Sequence, residues 1–397
     1  MQLSKRMSNF AGSPTSALIA KIAELRAAGQ NIISLNIGEP DFGTPNNIKV
    51  AGIKAIVDNF TKYTPGTGIL DLRKAICAKL KRDNNVEYDV SEICATVGAK
   101  QAVFNSVMAI AGEGDEVIIP IPCWVSYTEM VKLAGAKPVF VEMKDDFDLD
   151  LEAIEKAVTA NTRGIIICTP NNPTGAVYSE DTLRKLSAIS IKHDFYVIAD
   201  EIYEKLIYDG EKHFSIASIS QEAKEHTITI NGVSKAYAMT GWRLGYLACT
   251  KEFIKAVTKI QSQTTSATSA ISQKAAVEAL NGPQYDVEIM ADEFDKRRKY
   301  MVERLNNIKG ITCTVPKGAF YLLPDVSYYF GSTSQDGVKI NNAKDLAQFI
   351  LEKVQVALVP GEAFNIDGKV RMSYSNSMEN LKEAMDRLEK ALAMLEK

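Results

Sequence analysis

Short apolar runs alternate with amphipathic segments between about residues 46 and 295, and this alternation limits the folds open to the chain. Apolar runs of strand length occur at residues 116–122, 163–170, 194–200, 226–232 and 243–249. Between them lie segments of helical length, such as 99–114 and 179–193, whose apolar residues recur at helical spacing. This order predicts an α/β fold in which helices cover both faces of a mainly parallel sheet.

The last hundred residues have a different pattern. Residues 292–308 predict a long charged helix, followed by short strands at 318–326, 354–360 and 369–375 and by a closing helix. We therefore predict two domains. The large domain comprises residues 46–295, and a smaller α+β domain comprises residues 296–397 together with the N-terminal segment 1–45.

Composition and charge exclude several classes of function. The chain has 46 Lys and Arg against 49 Asp and Glu, a net charge of −3 that argues against nucleic-acid binding. The sequence contains no apolar run long enough for a membrane span and no signal-peptide pattern at its start, so we expect a cytoplasmic protein. None of the three histidines pairs with a cysteine at metal-ligand spacing, so we predict no metal site.

Polar residues follow the predicted strands at their carboxyl ends. Gly98-Ala99-Lys100 opens a helix, residues 171–175 read NNPTG, Asp200 ends an apolar run, and Lys235 follows TITING. Because ligands bind beyond the carboxyl ends of parallel strands, these groups predict one site with an anion cup, an amide, a carboxylate and a lysine. Taken alone, Asp200 is equally typical of a helix cap, and Lys235 is typical of a solvated surface lysine.

The segment GVSKAYAMTGWRLG, residues 232–245, resembles the pyridoxal-phosphate attachment motif of class I aminotransferases. Further segments are similar to that family in the same order, at 34–42, 62–68, 96–102, 122–127, 170–178, 199–204 and 370–375. The resemblance runs from about Leu3 to the last helix and is closest to the bacterial aspartate aminotransferases of the gamma subgroup. It implies the fold type I of pyridoxal-phosphate-dependent transferases and pyridoxal 5'-phosphate as cofactor.

The resemblance implies roles for the residues around the cofactor ring. Lys235 would bind the cofactor covalently and then move the substrate proton, which needs a pKa lowered by burial and nearby cations. Asp200 would pair with the ring nitrogen and keep it protonated. Asn172 and Tyr203 would hydrogen-bond the ring oxygen, and Trp124 would stack on the ring face.

The resemblance also implies a phosphate site. The backbone N–H groups of Gly98, Ala99 and Lys100 would hold the phosphate, with Arg243 as its charged partner. Tyr63 would reach the phosphate of the neighbouring subunit, which implies a homodimer with shared active sites.

One position departs from the family pattern. Related enzymes often have a serine three residues before the lysine, and this chain has Gly232 there. Ser234 is a candidate replacement, and so are other groups.

Seven residues would contact the substrate according to the resemblance: Gly38, Trp124, Asn172, Arg371, Lys100, Ser13 and Thr15. Arg371 would hold the carboxylate of the amino acid, and Gly38 would let the backbone approach it. Lys100, Ser13 and Thr15 would bind the distal carboxylate of aspartate. A structural salt bridge for Arg371, a surface lysine at Lys100 and a helix cap at Ser13 are the alternatives.

We therefore predict an aspartate aminotransferase that converts L-aspartate and 2-oxoglutarate into oxaloacetate and L-glutamate. Its partners would be small amino acids and 2-oxo acids. The alternatives are an aminotransferase for aromatic amino acids, alanine or prephenate on the same fold, a lyase with the same cofactor, and a cofactor-binding regulator. The last would need a DNA-binding module, for which the sequence shows neither spare length nor a basic patch.

Overall fold

The computed structural model describes residues 3–12 and 14–396 of the chain. Its α-helices are α1 Pro14–Ala27, α2 Asn46–Val57, α3 Leu70–Asn84, α4 Gly98–Ile110, α5 Val125–Leu133, α6 Leu151–Ala157, α7 Glu180–His193, α8 Gln221–His226, α9 Lys251–Ser262, α10 Ala270–Asn281, α11 Tyr285–Asn306, α12 Ala343–Val354 and α13 Met378–Leu392. Within the described ranges, no helix is both long and apolar enough to cross a lipid bilayer.

The strands are distributed over one large and three small sheets. They are β1 Ile33–Ser34, β2 Ile93–Thr96, β3 Glu116–Ile121, β4 Lys137–Glu142, β5 Thr162–Cys168, β6 Tyr196–Asp200, β7 Thr227–Gly232, β8 Gly245–Ala248, β9 Tyr321–Leu322, β10 Thr333–Ser334, β11 Val356–Ala357, β12 Val359–Pro360, β13 Val370–Ser373 and β14 Leu395–Glu396. Short 3₁₀ helices lie at Lys5–Ser8, Val90–Glu92, Ile216–Ser218, Thr240–Trp242, Ser327–Tyr329 and Gly361–Phe364.

The large sheet has the strand order β2-β8-β7-β6-β5-β3-β4. Strand β8 is antiparallel to both of its neighbours, and the other adjacent strands are paired in parallel. Residues 164–168 and 197–200 are buried throughout, as their unbroken apolar runs predict for strands covered on both faces. The prediction of an α/β fold with a mainly parallel sheet is confirmed.

Helix α7 shows how local sequence sets the element boundaries. Ser179 caps its start, because the Ser179 hydroxyl accepts a hydrogen bond from the backbone N–H of Thr182 at 3.0 Å. Its end is marked by Lys192 and His193 in the last turn and by Asp194, which adopts a left-handed conformation. The observed bounds therefore agree with the predicted segment 179–193 to within one residue.

Strand β4 is an element that sequence analysis did not predict. It lies at the edge of the large sheet, and Lys137, Phe140 and Glu142 are exposed there. An edge strand of this kind lacks the unbroken apolar run by which the buried strands are recognised. The charged helix predicted at 292–308 is present as α11 but begins earlier, at Tyr285.

The short sheets connect the two ends of the chain. Strand β1 pairs in parallel with β11, and β13 pairs antiparallel with both β12 and β9. The largest apolar cluster contains residues of the large sheet and of α12 and α13. The pairing of β1 with β11 joins the N-terminal segment to the C-terminal elements. The domain boundaries at 45/46 and 295/296 stay a prediction, because α11 runs continuously across the second of them.

A buried ionic cluster lies beyond the carboxyl end of β6. The ammonium of Lys79 contacts Glu204, and the Asn84 amide donates to Glu201 and Glu204 at 3.0 and 2.7 Å. His213 Nε2 lies 3.1 Å from Glu201 Oε2. Glu201, Glu204 and His213 offer ligand atoms within 4.8 Å of one another, a convergence that their sequence spacing does not predict. Lys79 already provides a cation for this cluster.

Replacing Lys79 by Met should strongly destabilise the protein, because it leaves the buried carboxylate of Glu204 without its lysine. The expected loss is about 3–5 kcal/mol in the free energy of unfolding, measured by urea denaturation. Lys54→Met is the matched control, since Lys54 pairs with Asp58 on the exposed surface of α2. A loss at Lys79 no greater than that of the control would contradict this account of the cluster.

Candidate active site

A cavity of about 390 Å³ lies at the edge of the large sheet where β5, β6 and β7 end. Its other wall comes from the segment after β1 and from β9 and β13. The cavity wall includes most of the residues predicted from the sequence: Thr15, Gly38, Ala99, Lys100, Trp124, Asn172, Asp200, Tyr203, Lys235, Arg243 and Arg371. Groups that are distant in the chain are thus gathered around one space.

Lys235 is half-buried in this cavity, directly after β7. Its ammonium donates a hydrogen bond to the backbone carbonyl of Gly38. Burial lowers the pKa of Lys235 to about 8, and the positive charges of Arg371 and Arg243 act in the same direction. The carboxylates of Glu39 and Asp200 oppose this shift. An amine with a lowered pKa is a better nucleophile and proton acceptor near neutral pH.

Asp200 ends β6 as a buried carboxyl group. Its Oδ2 accepts a hydrogen bond from the Tyr127 hydroxyl at 2.7 Å, and its Oδ1 accepts one from the backbone N–H of Ile202 at 3.3 Å. Burial raises the pKa of Asp200 to about 6, although both hydrogen bonds and the charge of Lys235 favour the ionised form. A carboxylate in such a place can be stabilised further by a cationic ligand.

Two tyrosine hydroxyls meet at the cavity. Tyr203 and Tyr321 lie 2.9 Å apart, oxygen to oxygen, and both are buried. A Cβ added to Gly38 would lie 3.0 Å from the Tyr321 hydroxyl oxygen. A side chain at residue 38 would therefore press on Tyr321, which gives the predicted close approach of the Gly38 backbone a physical reason.

Arg371 is a buried arginine for which the described residues supply no carboxylate in an ion pair. Its guanidinium donates to Asn172 Oδ1 at 3.1 Å and to the carbonyl of Asn36 at 2.8 Å. The rings of Tyr321 and Phe364 flank it at 4.6 and 4.8 Å, and its Nε has no hydrogen-bond partner within the described chain. The structural salt bridge considered for Arg371 is thus not found there. A buried guanidinium without a counter-ion favours an anionic ligand.

The predicted anion cup lies at the start of α4. Gly98 adopts a left-handed φ of +74°, and a Cβ there would lie 2.5 Å from Arg243 Nη2. Gly245 packs against the same turn, since its Cβ would lie 2.2 Å from the backbone nitrogen of Ala99. The guanidinium of Arg243 therefore packs against Gly98, the first residue of α4, and a cation beside a helix N-terminus is an arrangement suited to a phosphate.

The packing also explains why residue 232 is glycine. A Cβ on Gly232 would lie 2.9 Å from the Cα of Gly245 and 3.0 Å from the carbonyl oxygen of Leu244. A serine at this position would therefore displace β8 from β7. Ser234 is buried and lines the cavity. Its part in binding a phosphate stays a prediction.

The remaining predicted residues have different positions. The Lys100 side chain is largely exposed, and its ammonium lies 4.9 Å from the ring centre of Trp124. Partial loss of water around the ammonium, followed by the charge of Arg243, lowers the pKa of Lys100. Thr15 lines the cavity from α1. Tyr63 is 99% exposed and does not line the cavity of its own chain. Ser13 lies outside the described residues.

Sequence analysis missed the hydroxyl groups of Tyr127 and Tyr321. Both residues are inside segments that the analysis singled out, at 122–127 and 318–326, but buried tyrosines are usually core residues. Nothing in the spacing shows that one hydroxyl reaches Asp200 and the other Tyr203. Sequence analysis also missed Glu39, because sequence spacing does not show that it lines the cavity with Lys235. Its carboxylate accepts a hydrogen bond from the Thr240 hydroxyl at 2.7 Å.

Comparison with known proteins identifies the family. The model of the family described as aminotransferase class I and II matches residues 30–388. The chain is 47% identical to a probable aspartate/prephenate aminotransferase of Rickettsia bellii, over 99% of both chains. It is 43% identical to an aspartate aminotransferase of Bacillus subtilis, over 98% of both chains.

Solved structures show the same likeness in three dimensions. The aspartate aminotransferase of Rhizobium meliloti superposes with a TM-score of 0.96 at 40% identity, over the full length of both chains. That of Thermus thermophilus, solved with maleate, gives a TM-score of 0.93 at 41% identity, over 98% of this chain and 100% of that one. The predicted fold type I is thereby confirmed.

Replacing Gly98 by Ala should weaken phosphate binding at the cup, because the new Cβ displaces the Arg243 guanidinium. We expect at least about a tenfold loss of affinity for pyridoxal phosphate, measured by fluorescence titration. Gly114→Ala is the matched control: its φ is +88°, but a Cβ there meets open space. Equal affinities in the two variants would show that Arg243 is not held over the cup as described.

Proposed function

The chain belongs to the class I and II aminotransferases, and from this premise we propose that it uses pyridoxal phosphate to transfer the amino group of L-aspartate to 2-oxoglutarate. One observation carries the proposal: a lysine with a lowered pKa, a buried carboxyl group and a buried arginine without a carboxylate partner face the same cavity. These are the groups needed to hold a cofactor and orient an amino acid.

The residues of the cavity fit pyridoxal phosphate. Asp200 offers a buried carboxyl group that a protonated ring nitrogen would stabilise, and Trp124 offers an aromatic wall. The start of α4 with Arg243 offers the phosphate cup, and Lys235 offers the amine. Asn172 and Tyr203 also line the cavity and would hold the ring oxygen. When bound, the cofactor supplies the electron sink that stabilises negative charge at the substrate Cα.

Lys235 is the group that would move the proton. A pKa of about 8 leaves a much larger neutral fraction of the amine at pH 7 than an ordinary lysine has. A neutral amine can accept the proton from the substrate Cα, and the resulting ammonium can give it back. The nearby guanidinium groups of Arg371 and Arg243 help to keep this amine neutral.

Arg371 would orient the substrate. Its guanidinium is fixed by Asn172 and by the carbonyl of Asn36, so it is held in place before any ligand arrives. A carboxylate can bind a guanidinium through two parallel hydrogen bonds, which limits its orientation. This preorganisation would hold the Cα of an amino acid within reach of Lys235.

The preference for a dicarboxylic substrate rests on the exposed cation Lys100 at the cavity wall and on Thr15, which lines the same cavity from α1. Two relatives carry aspartate in their names, and the Thermus thermophilus structure was solved with maleate, a dicarboxylate. We propose that Lys100 and Thr15 bind the distal carboxylate of aspartate. Ser13, outside the described residues, keeps its predicted part in this contact.

Prephenate is a second candidate substrate, as amino acceptor. The Rickettsia relatives are named probable aspartate/prephenate aminotransferases at 45–47% identity. Prephenate also carries two carboxylates, so Arg371 and Lys100 suit it as well. Assays with L-aspartate as donor and either 2-oxoglutarate or prephenate as acceptor distinguish a dual enzyme from one restricted to 2-oxoglutarate.

We also propose a homodimer. Helix α2 exposes the apolar side chains of Val50, Ile53, Ile56 and Val57, and the nearly fully exposed Tyr63 follows shortly after the helix. Exposed apolar stripes of this kind mark protein interfaces. In such a dimer, Tyr63 of one subunit would complete the phosphate cup of the other.

Replacing Lys235 by Ala should abolish amino transfer, because it removes the amine that is proposed to move the proton. Coupled detection of oxaloacetate should show no turnover above background, while the variant stays folded.

Lys100→Ala should lower kcat/KM for aspartate about tenfold or more and should lower kcat/KM for phenylalanine and alanine less. Sustained turnover by Lys235→Ala would exclude the proposed mechanism, and equal losses for all donors would exclude the role of Lys100.

Replacing Tyr63 by Phe should weaken cofactor binding although residue 63 does not line the cavity of its own chain. The expected loss is about tenfold to a hundredfold in affinity for pyridoxal phosphate, the effect of one hydrogen bond to a charged group. Analytical ultracentrifugation should show a dimer of the 43.6 kDa chain. A monomer, or unchanged affinity in a proven dimer, would contradict the shared site.

A further inference from the structure

The Tyr127 hydroxyl makes the shortest hydrogen bond to Asp200, and neither sequence nor family resemblance gave this residue a role. The two groups lie 2.7 Å apart, oxygen to oxygen. Tyr127 is 2% exposed and Asp200 is 4% exposed, so water does not compete for the contact. Tyr127 therefore bears directly on how the Asp200 carboxyl group behaves.

We propose that Tyr127 is a positioning residue: its hydroxyl holds Asp200 ionised and oriented toward the ring nitrogen of the cofactor. The inference rests on the proposed function, because that ring nitrogen belongs to pyridoxal phosphate. Tyr127 itself need not touch the cofactor. It acts through the carboxylate.

The hydrogen bonds of Asp200 are unevenly distributed. Oδ2 accepts from Tyr127, whereas Oδ1 accepts only the longer bond from the Ile202 backbone within the described residues. Burial raises the pKa of Asp200, and the bond from Tyr127 is the largest effect that opposes this rise. Without that bond, more of the carboxyl group would be protonated near neutral pH. A protonated carboxyl group pairs less well with a protonated ring nitrogen.

Tyr127 is well suited to remain a donor. Burial raises its own pKa well above the ordinary value, and the negative charge of Asp200 raises it further. The phenol therefore keeps its proton throughout the physiological pH range and can donate a hydrogen bond to the Asp200 carboxylate. The interaction thus favours the ionised form of Asp200 over the protonated one.

Helix α5 fixes the hydroxyl in place. Trp124 immediately precedes the helix, and its carbonyl accepts a hydrogen bond from the Tyr127 backbone N–H at 3.0 Å. The two rings contact edge to face, 5.3 Å between centres at 89°. A single helical turn therefore carries both the aromatic wall of the cavity and the donor to Asp200. Movement of this turn would disturb both together.

The titratable groups that face Asp200 come from four elements. They are Tyr127 on α5, Cys168 on β5, Glu201 next to Asp200 in the chain, and Lys235 after β7. Cys168 lies opposite Asp200 in the register of β5 and β6, and burial raises its pKa beyond the physiological range. Glu201 opposes ionisation of Asp200, and Lys235 favours it. Removing the Tyr127 hydroxyl also removes its contact with the Cys168 thiol but keeps the charges of Glu201 and Lys235 in place.

The test is a double-mutant cycle on cofactor affinity. The full-length apoprotein is titrated with pyridoxal phosphate in four forms: wild type, Tyr127→Phe, Asp200→Asn and the double variant. We expect Tyr127→Phe to weaken binding about tenfold in the wild-type background and less than about twofold in the Asp200→Asn background. Tyr88→Phe is the matched control, because it removes a buried hydroxyl that bonds Thr229, away from the cavity.

A second readout is the pH dependence of stability in the apoprotein. Burial raises the pKa of Asp200 from 3.8 to about 6 in the folded state, so its contribution to the free energy of unfolding falls as the pH rises through that range. Tyr127→Phe should raise the folded-state pKa of Asp200 further. The drop in melting temperature caused by Tyr127→Phe should therefore be larger at pH 8 than at pH 5. The drop for Tyr88→Phe should be the same at both pH values.

Each outcome decides a separate point. Equal losses of affinity in both backgrounds, or a melting-temperature drop independent of pH, would overturn the positioning role and leave Tyr127 as a packing residue. Failure of the wild-type protein to bind pyridoxal phosphate would overturn the proposed function and this inference with it. If the wild-type protein binds pyridoxal phosphate, and Tyr127→Phe weakens that binding only when residue 200 is Asp, the proposed function and the role of Tyr127 are both supported.

Discussion

Parallel strands end at the same edge of a sheet, and the candidate active site depends on this constraint. Strands β5, β6 and β7 deliver Asn172, Asp200 and Lys235 to one edge because their register is fixed by continuous backbone pairing. Burial on both faces of the sheet then sets the chemistry. It lowers the pKa of Lys235, which is the direction that the proposed proton transfer needs. It raises the pKa of Asp200, and the hydrogen bond from Tyr127 opposes that rise.

The cavity is rich in cations. Lys235, Arg243, Lys100 and Arg371 line it, and Asp200 is the most deeply buried acid among its wall residues. Such a site favours ligands with several negative charges, which describes both a phosphorylated cofactor and a dicarboxylic amino acid. Burial is the main cause of the lowered pKa of Lys235, and two of these cations, Arg371 and Arg243, add to it because they disfavour a third positive charge beside them. Ligand binding and proton transfer therefore depend on one set of charges.

Much of this arrangement could be predicted from the sequence. Unbroken apolar runs predict the buried strands, and the polar residues that follow these runs predict the position of the site. The edge strand β4 could not be predicted in this way because half of its side chains are exposed. Arg371 and Gly38 were assigned by family resemblance alone, since their place at the cavity depends on pairing between distant short strands. The contacts of Tyr127 and Tyr321, and the cluster around Lys79, depend on side-chain packing that no sequence spacing reveals.

The most direct test of the central claim is the visible absorption spectrum of the protein with pyridoxal phosphate, followed through the addition of substrates. The account predicts a yellow band when the cofactor binds, loss of that band on addition of L-aspartate alone, and its return on addition of 2-oxoglutarate. This sequence would show both half-reactions and the choice of an acidic donor. A band that forms but does not respond to aspartate would contradict the substrate assignment, and failure of the band to form would contradict the cofactor site itself.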